Sequence, residues 1–145
     1  MISGSTCVLG VIGDPISHTA SPIMQNAAIK ATGLDYVYTA FHVKPNFLSE
    51  AIKGIRALKI VGINVTVPYK QGVIEFLDSV SHEASAIGAV NTIVSHNGQL
   101  VGHNTDAFGI DQSLRLDAGL NLYPSKVVLL GAGGAARAVL YALLQ

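Results

Sequence analysis

The chain has 145 residues, half of them apolar and 12% charged, which suits one domain or one domain plus part of another and argues against disorder. Nine basic side chains balance nine acidic ones and no basic run occurs, so nucleic acid and membrane are not expected as partners. A single cysteine, Cys7, excludes an internal disulfide framework and fits a reducing compartment, here the cytoplasm. The opening MISGSTCVLGVIG has no basic start and too short an apolar stretch to read as a signal peptide.

In chain order, residues 8–12, a short apolar run, read as a strand. The stretch 13–26, GDPISHTASPIMQN, then gathers small hydroxyls where a strand hands over to a helix. Ser21 reads as the N-cap and Pro22 as the first helical residue, with Ile23, Met24, Ala27, Ala28 and Ala31 as the apolar face and Gly33 as the stop. Residues 36–42, rich in aromatic and β-branched side chains, read as a second strand. Asn46 is placed to cap a helix whose Leu48, Ala51, Ile52, Ile55 and Leu58 recur at helical spacing. In IVGINVTVPYK, Ile63, Val65 and Val67 alternate with Asn64 and Thr66, so the two polar side chains share one strand face. Pro68 ends that strand, and helices are expected over 69–77 and 81–87.

From Ala89 the period returns to two, and Asn97-Gly98 signals a hairpin. Thr105 caps a helix to about Ala118, and Tyr123-Pro124-Ser125 reads as a linker. This order implies an α/β fold: a mostly parallel mixed sheet flanked by helices, with a hairpin at one margin. The strand, turn and helix after the linker read as the opening of a second domain that this chain does not finish.

Three features carry chemistry. A two-residue turn at Asn97-Gly98 pairs His96 with Gln99 and Val94 with Val101, and places Asn91 opposite Asn104 at roughly 5 Å. Asn91, Asn104 and Asp106 then form one polar neighbourhood, or else a solvated hairpin end. Lys70 is expected in the first turn of a helix, where the dipole disfavours a cation, a setting that suits proton exchange with a hydroxyl or carbonyl oxygen. A solvated surface lysine is the plainer alternative. Asp106 sits at a helix N-terminus that favours its charge.

The third feature is VVLLGAGGAARA, read as a buried strand leading into G-x-G-x-x-A and a helix, a pattern that brings backbone amides to a pyrophosphate. The same apolar run, residues 127–145, imitates a membrane span, but three glycines between 131 and 134 argue against one continuous helix. The five histidines show no metal-ligand spacing, and Cys7 reads as a small core residue.

Together these pieces resemble the shikimate dehydrogenase family. GDPISHTASPIMQN is similar to its substrate signature and NVTVPYK to its catalytic-lysine segment. GAVNT at 88–92, GHNTDAFG at 102–109 and GAGGAARA follow in the family's order. The resemblance implies NADP-dependent reduction of 3-dehydroshikimate to shikimate in aromatic amino acid biosynthesis, with no metal. Residues 1–104 would be the substrate-binding and catalytic domain, 105–124 a connecting helix and linker, and 125–145 the beginning of an incomplete NADP-binding Rossmann domain.

Carried over by motif, Thr19 and Ser21 would bind the substrate carboxylate. Asn64, Thr66, Asn91 and Asp106 would hold the ring hydroxyls, and Lys70 with Asp106 would be the catalytic pair. Gly131, Ala132, Gly133, Gly134 and Ala135 would line the cofactor pyrophosphate. Thr19 stands where the family usually has serine, Ala20 replaces a frequent lysine and Gln25 a frequent histidine. Met24, Gln25 and Asn26 resemble the branch that also accepts quinate, which keeps a dual quinate/shikimate dehydrogenase using NAD or NADP as the alternative. A non-catalytic hydroxy-acid sensor is the alternative of another class. Family members run to roughly twice this length, so the chain reads as a fragment, and a homodimer is left open.

Overall fold

The computed structural model describes residues 2–122 and 125–145. Strand β1 (Cys7–Gly13) leads to helix α1 (Ser21–Thr32), β2 (Tyr36–His42), α2 (Leu48–Ala57) and β3 (Gly62–Val65). Then follow β4 (Ser79–Val80), α3 (His82–Ile87), β5 (Thr92–His96), β6 (Gln99–His103), α4 (Asp106–Gln112) and α5 (Gly134–Leu143). One six-stranded sheet runs β2-β1-β3-β5-β6-β4. β1 is parallel to β2 and β3, β5 is antiparallel to β3 and β6, and β4 is parallel to β6. The expected mixed α/β sheet is therefore present, but the hairpin β5–β6 lies inside it, because the two-residue β4 covers the outer edge of β6.

Alternation along β1 assigns the two helices to opposite faces. Val8 and Ile12 join the larger core with Ile52 and Ile55 of α2, Ile63 and Val65 of β3, and Ile93 and Leu100 of the hairpin. Ile63, Ile93 and Leu100 are essentially solvent-free, and burial of such side chains stabilises by about 1.5–3 kcal/mol each. Leu9 and Val11 face the other way, against Tyr38, Ala40 and Ile29 of α1.

Several local expectations are corrected. The N-cap of α1 is Ala20, and Ser21 is its first helical residue; Thr19 Oγ1 accepts from the Ser21 backbone N–H instead. The apolar face expected on α1 points outward, with Ile23 79% and Met24 62% exposed. The helix docks through Asn26, whose side chain donates to the Tyr38 and Pro22 carbonyls and accepts from the Tyr38 N–H. Asn46 lies in a 3-10 turn before α2 and caps nothing, and Leu58, just past the end of α2, is exposed.

The helix expected over 69–77 is a series of turns ending in a 3-10 turn at Ile74–Phe76, so Lys70 has no helix dipole behind it. Val67 is exposed beyond the end of β3. After α4 the chain continues as one π-helical turn, Ser113–Asp117. The expected linker begins at Tyr123 and Pro124, which lie outside the described residues.

Residues 127–130 form no strand; Val128 and Leu130 are 86% and 91% exposed, since no described strand is aligned to accept their hydrogen bonds. α5 nonetheless packs on the rest of the chain. Ala138 and Ala142 meet Ile87, Ala89 and Ala107 in a small alanine-rich core. Among the described residues no helix is long and apolar enough to cross a membrane.

Candidate active site

The loop after β1 is bound tightly to the end of β3. Asp14 N–H donates to the Val67 carbonyl at 3.0 Å, and Thr66 N–H to the Ile12 carbonyl at 3.0 Å. A Cβ at Gly13 would come within 2.5 Å of the Thr66 methyl, so only glycine allows this approach. His42 Nε2 and Asp14 Oδ1, 2.6 Å apart, tie the loop to β2. Thr66 thereby lies beside the loop that carries Thr19 and Ser21, whose hydroxyls are 3.1 Å apart.

The hairpin register is the one the Asn-Gly turn dictates, from His96–Gln99 to Thr92–His103. One step further, Asn91 N–H donates to the His103 carbonyl, bringing Asn91 and Asn104 to the same end of the pair. This end is not solvated: Asn91 is 9% and Asn104 3% exposed. Such buried amides require partners, and each has them. Asn104 Nδ2 donates to the Ala89 carbonyl, and its Oδ1 accepts from the Asp106 and Ala107 backbone N–H groups. Asn104, rather than Thr105, therefore supplies the side-chain cap of α4. Asn91 Nδ2 donates to Asp106 Oδ1 at 2.8 Å and to Thr105 Oγ1 at 2.9 Å.

Lys70 Nζ lies 2.6 Å from Asp106 Oδ2, with the two side chains 16% and 31% exposed. The lysine is fixed from behind, as its carbonyl accepts from the Val90 N–H at 2.7 Å. Asp106 is its side-chain partner among the described residues, which leaves two ammonium donors for an oxygen brought into the site. Asn64 Nδ2 reaches Thr92 Oγ1 at 3.2 Å and the Asn91 carbonyl at 3.4 Å, and its Oδ1 accepts from the Tyr38 hydroxyl at 2.6 Å. Burial pushes the Tyr38 phenol up to about 12, partly offset by the Ser21 hydroxyl beside it.

The described contacts thus gather Asn64, Asn91, Lys70 and Asp106 directly, with Tyr38 bonded to Asn64, while Thr19 and Ser21 bond to each other. Tyr38 and Thr92 escaped the sequence reading. The signal available for Tyr38 was an aromatic hydroxyl on an expected strand, which needs a partner once that strand is buried. Of the three residues 24–26, only Gln25 lines the cavity of about 260 Å³ next to Tyr38, Asn64 and Thr92.

The glycine turn arrives at the same place. Gly131 has φ 113°, Gly133 precedes the first turn of α5, and Gly131, Ala132, Gly133 and Ala135 are exposed. Gly134 packs against Lys70: a Cβ there would lie 2.9 Å from Lys70 Cβ. A ten-residue helix with exposed N-terminal amides, its first residue touching the lysine, fits a phosphate-bearing cofactor.

Residues 11–93 match the family model of the shikimate dehydrogenase substrate binding domain. A shikimate dehydrogenase (NADP(+)) of Carboxydothermus hydrogenoformans is 52% identical over 99% of this chain and 51% of its own. The crystal structure of shikimate dehydrogenase from Aquifex aeolicus superposes with a TM-score of 0.94 at 48% identity, over 99% of this chain and 54% of that one. A Thermus thermophilus shikimate 5-dehydrogenase solved with NADP(H) and shikimate gives 0.87 at 40% identity, over 95% of this chain and 52% of that one. The chain spans about half the length of the curated relatives it matches.

Proposed function

The chain belongs to the shikimate dehydrogenase substrate binding domain family, and on that premise we propose that it carries the substrate-binding and proton-transferring half of an NADP-dependent shikimate dehydrogenase. The observation that carries this reading is the Lys70–Asp106 pair, 2.6 Å apart, with Asn91 on the same carboxylate and Gly134 of the glycine turn against the lysine. Proton donor, ring-hydroxyl acceptors and phosphate-binding turn then meet at one place, as reduction of a ring ketone requires.

Lys70 gives a proton to the oxygen of 3-dehydroshikimate as it becomes a hydroxyl, and takes it back from shikimate in the reverse direction. Asp106 holds the ammonium and accepts from a ring hydroxyl. Asn64, Thr66 and Asn91 bind the remaining hydroxyls, and Thr19 and Ser21 hold the substrate carboxylate. NADPH, when bound, would supply the hydride to the carbonyl carbon, leaving NADP+. Gly131, Ala132, Gly133, Gly134 and Ala135 hold its pyrophosphate, with NAD as the alternative cofactor. For these residues alone, weak NADP(H) binding follows from the exposed, unpaired segment 127–130 in front of the turn. The compartment proposed is the cytoplasm, with shikimate and 3-dehydroshikimate as the small-molecule partners.

Calorimetric titration with shikimate and with quinate tests the reading. Shikimate heat from the wild-type chain supports it, and tighter quinate binding would move the assignment to the dual-specificity alternative. In a protein that joins this segment to a nucleotide-binding half, Lys70→Ala is expected to slow hydride transfer by roughly 10²–10⁴-fold while shikimate affinity changes little. Unchanged turnover would exclude Lys70 as the proton donor.

A further inference from the structure

Between the two ends of the site runs a chain of hydrogen bonds whose directions are all determined. The Tyr38 hydroxyl stands 2.6 Å from Asn64 Oδ1, Asn64 Nδ2 is 3.2 Å from Thr92 Oγ1, Thr92 Oγ1 is 3.0 Å from Asn91 Oδ1, and Asn91 Nδ2 is 2.8 Å from Asp106 Oδ1. Groups with only one possible role anchor it. Asn91 Oδ1 also faces the Thr105 backbone N–H, which can only donate, so this atom is an oxygen and the amide nitrogen faces the carboxylate. Asn64 likewise turns one side to the Asn91 backbone carbonyl, which can only accept, so that side is its nitrogen and the other, facing Tyr38, its oxygen. Tyr38 must then donate to Asn64, and Thr92 must accept from Asn64 and donate to Asn91.

Resting on the function proposed above, we infer that Tyr38 and Thr92 are positioning residues: their hydroxyls lock Asn64 and Asn91 in the amide orientations that the Asn91 carbonyl and the Thr105 N–H dictate, and link Asn64 to the carboxylate that holds Lys70. Neither needs to touch substrate to do this. Tyr38 is only 5% exposed, and its high phenol pKa keeps the donor proton in place across the physiological range. With both hydroxyl protons committed in one direction, Asn64 and Asn91 are each held in a single orientation, instead of flipping amides that a ligand must order. Thr92 is the joint of the chain, because a hydroxyl accepts from one amide and donates to the next.

The test uses the chain as it is, with Tyr38→Phe, Thr92→Val, the pair of changes together, and Thr92→Ser as a rescue. Each of the first two removes one O–H at nearly constant volume. Shikimate binding by calorimetry is expected to weaken by roughly three- to tenfold in each single variant. The double variant should weaken little beyond the worse single one, since both interrupt one chain, and Thr92→Ser should bind as the wild type. In the ligand-free protein, the side-chain NH₂ resonances of Asn91 should move in Tyr38→Phe, although Tyr38 does not touch Asn91.

Wild-type affinity in both single variants, or losses that multiply in the double variant, would overturn the inference. So would an unmoved Asn91 amide. The amide readout needs no ligand, so a wild-type chain that binds no shikimate would sink the functional reading while the relay is still judged on its own resonances. If Tyr38→Phe fails to fold, Thr92→Val against Thr92→Ser decides the matter.

Discussion

Gly134 and Lys70 touch: the first residue of α5 lies so close to the lysine that a Cβ on it would sit 2.9 Å from Lys70 Cβ and 3.2 Å from Lys70 Cδ. This one contact couples the glycine turn to the lysine proposed as proton donor. The backbone at Gly134 has ordinary helical geometry, so the requirement for glycine there is one of space alone. Gly134→Ala is therefore expected to push α5 off its alanine seat on Ala107 and Ala89, costing about 1–3 kcal/mol as core overpacking does. Urea unfolding measures the cost. Shikimate affinity should fall as well, because Lys70 is displaced with the helix. A variant as stable as the wild type would show that the contact relaxes without strain.

Asn104 is a structural counterpart to the site residues. It is 3% exposed, and it holds the backbone of Asp106 and Ala107 at one end and the Ala89 carbonyl at the other. Asn104→Ala removes the cap of α4 and strands a buried carbonyl, with an expected loss of roughly 2–3 kcal/mol. Since Asp106 N–H is one of the capped groups, the carboxylate loses its fixed direction too. Denaturant midpoints and shikimate titration should fall together, and a loss of stability with affinity intact would separate the cap from the site.

Local chemistry made some of this legible. The Asn97-Gly98 turn and the period of two in its flanks fixed the hairpin register, and with it the meeting of Asn91 and Asp106. The motif at 131–136 located the turn that reaches Lys70. Tertiary choices stayed hidden. The apolar residues of α1 predicted a buried face, yet Asn26 docks that helix through backbone groups of Tyr38, a partner 12 positions away. Tyr69, Val73 and Leu77 have helical spacing, but the segment folds into turns with Tyr69 anchored on the Val43 carbonyl. The Tyr38–Asn64 bond depends on β1 lying between β2 and β3, an order that no local pattern encodes.

Asp78 anchors the hairpin from outside. Its Oδ2 accepts from Arg56 Nη1 and from the Leu100 N–H, both at 2.6 Å, while Arg56 also donates to the Gly98 carbonyl. The Arg56 guanidinium first, and the Leu100 amide second, hold this carboxyl below its usual range. A carboxylate so depressed contributes stability that is complete above its unfolded pKa, about 3.9, and is lost as pH falls through the folded value. Asp78→Asn should lower stability at neutral pH and flatten the acid limb of a stability–pH curve. The two proteins should converge in acid. Parallel curves down to low pH would mean that this carboxylate has no part in the acid transition.

Tyr38 governs the opposite limb. Tyr38 is 5% exposed, and burial pushes its phenol up to about 12, against 10 for a free tyrosine. Between those values the unfolded chain has lost the proton and the folded chain retains it, so the unfolded state binds fewer protons and stability falls as pH rises. Below pH 10 the contribution is whole. By pH 12 it should have cost about 2–3 kcal/mol. Burial also raises Tyr69, which donates to the Val43 carbonyl, so part of the alkaline limb belongs to that residue. Tyr38→Phe should accordingly reduce the slope between pH 10 and 12 without abolishing it. Alkaline denaturation followed by tyrosinate absorbance supplies the measurement. An unchanged slope would mean that the Tyr38 hydroxyl ionises in the folded protein as freely as in water, and such a phenol could not keep donating to Asn64 at high pH.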